Sequence, residues 1–253
     1  MPMQFHIIIK KEDKIMANQV TNKITLQGNE QTKNNEAFAF LKGANGDIDF
    51  NKIIPMPLEL IHIQSGSRED TAWACYQAKA LENFKDIDKM LAWAWVIEAG
   101  IKTRDQLVDY FAKKYEEEEK TWPEEYKTGF ETIFEYGKYL FEIYQKYGYR
   151  NGTKWAIENW ECKWNAFNIS REGNTIKFDT VNTYVINLML TVSEKFPEVE
   201  FLYETCDEER YFVGRYTLKA GEIVSEIEPE EGTEEEKEIY IKVWGHEPEF
   251  VEF

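Results

Sequence analysis

With 253 residues, 43% of them hydrophobic and 15% aromatic, the chain can bury a substantial core, and disorder as its overall state is excluded. Its 30 Lys and Arg against 47 Asp and Glu leave a formal net charge of -17, which argues against a broad phosphate-neutralising surface and favours basic partners. Cys75, Cys162 and Cys206 are far apart and form no C-x-x-C pair, and His6, His62 and His246 lack metal-pair spacing, so neither a disulfide framework nor a metal or other cofactor is expected.

Residues 1–15 read as an N-terminal extension. The apolar run at 5–9 precedes its lysines, the reverse of a signal peptide, and suits a short strand. Residues 20–26 alternate, carry β-branched side chains and stop at Gly28, which predicts a strand. Residues 34–41 predict a short helix with Ala37, Phe38 and Leu41 on one face, ended by Gly43 and Gly46. Over 49–57, Pro55 and Pro57 predict an extended path anchored by Phe50, Ile53 and Ile54.

From 69 to 148 the period is helical. Thr103 and Gln106 form a capping box ahead of Leu107, Val108, Phe111 and Tyr115. The longest apolar stripe is Phe130, Ile133, Phe134, Gly137, Phe141, Tyr144 and Tyr147, read as core. Between them, Glu116, Glu117, Glu118 and Glu119 read as a solvated helix end. Residues 164–169 and 175–179 predict a hairpin around the turn at 171–174. An amphipathic helix over 185–196 follows, closed by Pro197. Strands are expected at 199–205, 211–218 and 223–227. Residues 228–238, which include Glu230, Glu231, Glu234, Glu235 and Glu236, are too charged to pack and read as a mobile loop before a last strand at 239–244.

Without the helical stretch this order is β-α-β-β-α-β. The expectation is an α+β fold: a ferredoxin-like split βαβ antiparallel sheet with a long helical insertion and extra C-terminal strands. The boundaries are 1–15 for the extension, 16–60 and 151–253 for the two parts of the sheet domain, and 61–150 for the insertion.

The stretch 158–166 holds two Trp, two Asn, two Glu, a Lys and a Cys. Together, Asp49 to Pro57, then Asn159-Trp160-x-x-Lys163-Trp164-Asn165-Ala166, Phe196-Pro197 and Gly214-Arg215-Tyr216 resemble the YubB-type ferredoxin-like family of plasmid and phage proteins. The resemblance covers about 17–58 and 150–227. Members begin with a segment similar to Met16-Ala17-Asn18. It implies the fold and a mobile-element origin, and no settled reaction. Two departures stand out: Glu161-Cys162 replaces the family's Gly-Thr, and Thr180-Val181-Asn182-Thr183 replaces a proline-rich turn.

The expected function is a non-catalytic acidic binding protein of a mobile element, such as an inhibitor of a bacterial defence or restriction system. The acidic runs at 116–119 and 228–238 would meet a host protein with a basic surface, in part by mimicking phosphate. No direct nucleic-acid binding and no membrane span are expected, and a cytoplasmic location follows. Alternatives are an interaction domain of unknown role, with Trp73, Trp93 and Trp95 as a homo-oligomer surface, and an enzyme built on Glu158, Lys163 and Asn165. No known catalytic motif supports the last. Trp160 and Trp164 are read as core at the junction of insertion and sheet.

Overall fold

A computed structural model describes residues 18–28 and 31–247. The expected extension at 1–15, its strand at 5–9 and the Met16-Ala17 start lie outside the described residues. The first elements are β1 (Gln19–Gln27), α1 (Gln31–Leu41) and the single turn α2 (Phe50–Ile53). Then come α3 (Leu58–Ile61), α4 (Ser67–Ala80), α5 (Lys85–Leu91), α6 (Ala94–Glu98), α7 (Arg104–Thr121), α8 (Ile133–Tyr147) and α9 (Gly152–Trp160). The chain continues through β2 (Phe167–Glu172), β3 (Thr175–Val181), α10 (Ile186–Lys195), β4 (Glu200–Asp207), β5 (Val213–Lys219), β6 (Glu222–Ile227) and α11 (Glu234–Trp244). Two compact units result: Met56–Ala156, and the flanking stretches Met1–Pro55 with Ile157–Phe253.

The flanking unit is built on an antiparallel sheet ordered β2-β3-β1-β4-β5-β6. Its first four positions are those of the split βαβ arrangement, and β5 and β6 extend it beyond β4. Alternation in β1 explains its central place: Val20, Ile24 and Leu26 are buried on one face, where Ile24 lies between Ile176 of β3 and Tyr203 of β4. Leu188, Met189 and Val192 are the buried face of α10, which lies against β4, β5 and β6.

Polar side chains share that core, among them Asn22, Thr180 and Thr205. Asn22 is fully buried, donates to Thr180 Oγ1 (2.9 Å) and the Val20 carbonyl (3.1 Å), and accepts from Tyr203 Oη (2.5 Å) and Thr205 Oγ1 (3.2 Å). Each polar atom of the amide is paired, so burial does not leave it stranded. The other face carries Asp179, which accepts from Gln19 (2.8 Å), Thr21 (2.7 Å) and Asn168 (2.8 Å). It also carries a small second core of Cys206, Ile239, Tyr240 and Val243, formed where α11 covers β4, β5 and β1.

That helix corrects two expectations. Residues 239–244 form a helix rather than a strand, and the acidic stretch 228–238 is not wholly a loop, because α11 begins at Glu234. The Thr233 side chain accepts from the Glu236 amide (3.3 Å), and the left-handed Gly245 (φ 87°) ends the helix. Glu234, Glu235 and Glu236 sit in its first turn, where the helix dipole favours negative charge, and Ile239, Tyr240 and Val243 have helical spacing. Residues 50–53 are likewise helical, not extended. The Asp49 side chain caps α2 by accepting from Asn51 N (3.0 Å), and the constraint of Pro55 reaches back only to Ile54, which is extended (φ -128°, ψ 102°).

In the unit 56–156, α4 lies against α8. Gly137 sits at the crossing, where any Cβ would overlap the Ala72 carbonyl oxygen and Tyr76 Cβ. The buried face of α8 is Ile133, Tyr136, Gly137, Leu140 and Ile143. This is rotated from the expected stripe: Phe141 and Tyr144 flank it against Trp73, with Tyr144 half-exposed. Capping boxes at Thr103/Gln106 and Thr132/Glu135 start α7 and α8. Arg68 ties α7 to the start of α4, pairing with Glu118 (3.2 Å) and Glu119 (2.5 Å) and lying over the Tyr115 and Trp122 rings at 4.8 and 4.7 Å. Buried Glu69 meets Arg150 Nε (3.1 Å) and accepts from Asn151 Nδ2 (2.8 Å).

Candidate functional site

The motif residues 159–166 run from the end of α9 to the start of β2. Trp160 is 3% exposed, donates to the Ile54 carbonyl (2.8 Å) and sets its ring edge-on to Phe50. Asn165 Oδ1 accepts from Phe50 N (2.9 Å) and Ala166 N (3.0 Å), while its Nδ2 donates to Asp49 Oδ1 (2.8 Å), the oxygen that caps α2. The two motif segments thus form one hydrogen-bonded unit, and the Asn165 amide is occupied in holding backbone. Asn159 is half-buried, and Glu158 and Lys163 are exposed. Trp164 is 53% exposed, which corrects its reading as core: it falls in the irregular stretch before β2 rather than on the strand.

Glu161 occupies a left-handed conformation (φ 66°) just after α9, the position where a helix most readily ends in glycine. Its carboxylate accepts from the Asn187 amide (2.8 Å) and from the Asn187 side chain. Glu161 is thus tied to the first turn of α10. Next to it, burial pushes the Cys162 thiol up to about 12, and the buried Cys75 and Cys206 thiols likewise rise to about 12. None of the three is a poised nucleophile.

The acidic residues divide by environment. Glu116 and Glu117 are exposed on α7, whereas Glu118 and Glu119 are half-buried against Arg68 rather than solvated. In the flanking unit Glu230 and Glu231 are exposed before α11, Glu234 and Glu235 are exposed in its first turn, and Glu236 is 2% exposed. Glu236 Oε2 accepts from Gly232 N (2.5 Å), while Oε1 makes no hydrogen bond and stands 3.6 Å from Arg210 Nη1. Glu238 is held by Lys242 (2.7 Å) and Arg215 (3.4 Å), which keep its carboxyl below the usual range.

This second run borders a cleft of about 500 Å³ that sequence reasoning did not locate. It exists because β6 stops opposite Arg215, so β5 runs on through Gly214 and Val213 without a β6 neighbour, and the chain departs as 228–233. Aromatic walls come from Tyr184, Phe212 and Tyr216: Tyr184 meets Phe212 edge-on (5.8 Å, 67°) and stacks on Tyr216 (6.3 Å, 23°). Gly214 makes room for the Tyr216 ring, which a Cβ there would strike. Tyr216 Oη donates to Glu228 Oε1 (2.6 Å); burial, and then that carboxylate, push the phenol well above its ordinary value. The signal in the sequence was Gly214-x-Tyr216, a strand glycine clearing space for the ring two residues on.

Residues 159–245 match the family model described as the ferredoxin-like domain in Api92-like protein. The match begins at Asn159 and ends at the Gly245 cap of α11, so it leaves out β1, the strand between β3 and β4. A solved structure, the protein api92 from Yersinia pseudotuberculosis, is similar at 11% identity and a TM-score of 0.39, over 86% of this chain and 99% of that one. No curated protein matches.

Proposed function

We propose that the chain is a non-catalytic acidic binding protein of a mobile element, related to the YubB-type proteins, which docks on a basic surface of a bacterial host protein and inhibits a defence or restriction system from the cytoplasm. The observation that carries this reading is the acidic segment at the cleft. Glu234 and Glu235 stand in the first turn of a capped helix, where their charge is held in a fixed arrangement, and Glu228, Glu230 and Glu231 lie on the stretch that leads into it. Preorganised carboxylates lose less entropy on meeting a basic surface than mobile ones, and they offer the charge that such a surface otherwise gives to phosphate. Two further features support the reading. The helix α11 lies over β1, β4 and β5 on the face opposite α10, the kind of bare face on which RNA-recognition sheets stack bases. The Asn165 amide, one of three groups that proton chemistry would need, is committed to Asp49 and Phe50. Among the described residues no helix is long and apolar enough to cross a membrane.

Affinity capture from bacterial host lysate tests this. The expected result is one specific basic partner, retained at low salt and released at several hundred millimolar as screening shortens to a few ångströms. Recovery of no specific partner refutes the reading.

A further inference from the structure

We propose that the cleft beside β5 receives the guanidinium of an arginine side chain carried by the partner. The inference rests on the acidic-binding reading and names its contact point. Three rings and an unusual set of carboxylates converge there. Tyr184, Phe212 and Tyr216 form the walls, and Tyr211, 76% exposed, stands at the mouth. Glu209, Glu228, Glu231 and Glu236 line the same space with Arg210 as the cation among the lining residues, four carboxylates against one guanidinium. Two of those carboxylates are oriented rather than mobile. Glu228 is held by Tyr216 Oη (2.6 Å), and Glu236 is 2% exposed, with one oxygen fixed by the Gly232 amide and the other without a hydrogen bond. Glu236 Oε1 is ion-paired with Arg210 Nη1 (3.6 Å), which leaves Glu209, Glu228 and Glu231 in excess of the one guanidinium that lines the cleft.

Ring faces together with carboxylates select the type of cation. A guanidinium is planar and weakly hydrated, stacks on aromatic faces and presents a fork of N–H donors to carboxylates. A lysine ammonium is a strongly hydrated point charge that gains less from flat walls. The cleft volume of about 500 Å³ falls within the range of about 300–1,000 Å³ usual for small-ligand sites. The excess of negative charge would also draw an arginine-bearing surface in over a Debye length.

The test is calorimetric titration of the full chain with a capped Gly-Gly-Arg-Gly-Gly peptide and with its lysine and citrulline counterparts. Citrulline keeps the shape of arginine and removes its charge. Saturable binding of the arginine peptide is expected, at least about tenfold tighter than the citrulline peptide and several-fold tighter than the lysine peptide. Glu228→Gln and Phe212→Ala should each weaken it about tenfold, while Glu116→Gln, which removes the same charge from the other unit, leaves it unchanged. Equal binding of the three peptides, absence of saturation, or an equal loss in Glu116→Gln overturns the proposal. Host-protein capture undiminished by Phe212→Ala with Glu228→Gln also overturns it and leaves the acidic-binding reading standing. Arginine-peptide binding without any captured host protein supports the cleft and removes that reading instead.

Discussion

Replacing Asn165 with alanine removes three hydrogen bonds at once: those from Phe50 N and Ala166 N, and the one to Asp49. Phe50 is fully buried, so no water reaches its amide to replace the lost acceptor, and Asp49 loses the neighbour that orients it as the cap of α2. At about 1 kcal/mol net per bond the loss is about 3 kcal/mol, or about 6–12 °C in melting temperature for a chain of this size. Chemical denaturation followed by circular dichroism reads the free energy, and amide exchange at Phe50 reads the local event. Lys163→Ala, two residues away in the same motif, removes an exposed side chain and should stay within about 0.5 kcal/mol of the parent. A cost below about 1 kcal/mol for Asn165→Ala, or unchanged protection of the Phe50 amide, would refute the view that this motif is structural.

Gly137→Ala should cost about 1–3 kcal/mol, because the new methyl overlaps the Ala72 carbonyl and forces α4 from α8; accelerated proteolysis within 56–156 checks it. Thr233→Ala removes the cap of α11 and should cost about 1 kcal/mol, read as faster amide exchange at Ile239 and Tyr240. Glu69 bears on pH. Burial first, moderated by Arg150, raises its carboxyl above the ordinary value, so the folded state holds this proton more tightly than the unfolded chain. Its contribution is therefore fully present below the unfolded pKa of about 4.3 and is lost as pH rises through the folded value. Urea midpoints from pH 4 to 7 should show that decline, and Glu69→Gln should flatten it; an unchanged slope would count against the assignment.

Alternation made β1 legible from sequence, as did the period of α10 and the capping box of α7, because each is a local pattern that burial repeats. The order of elements was then enough to place β1 between β3 and β4. The acidic C-terminal stretch misled for a physical reason. Its charge density argues against packing, yet Thr233-x-x-Glu236 is a helix start, and Ile239, Tyr240 and Val243, with Trp244 beside them, fasten α11. The exposed Trp164 shows the converse: composition places an indole inside, and the irregular stretch before β2 turns it out. The cleft was not legible because it is an absence, the early end of β6, and its walls come from residues as far apart as Tyr184 and Glu236.

The Trp160 bond to the Ile54 carbonyl joins the point where the chain leaves the sheet unit to the point where it returns. Residues between those points form a loop closed at its base by an indole and a backbone oxygen. The entropy of closing such a loop grows only with the logarithm of its length, about 0.6 kcal/mol for each doubling. A clasp of this kind makes the sheet nearly indifferent to what it encloses. The excursion can lengthen, shorten or be exchanged for unrelated sequence while the two flanking halves still meet, which makes this stem a natural port for grafting new recognition modules onto the sheet.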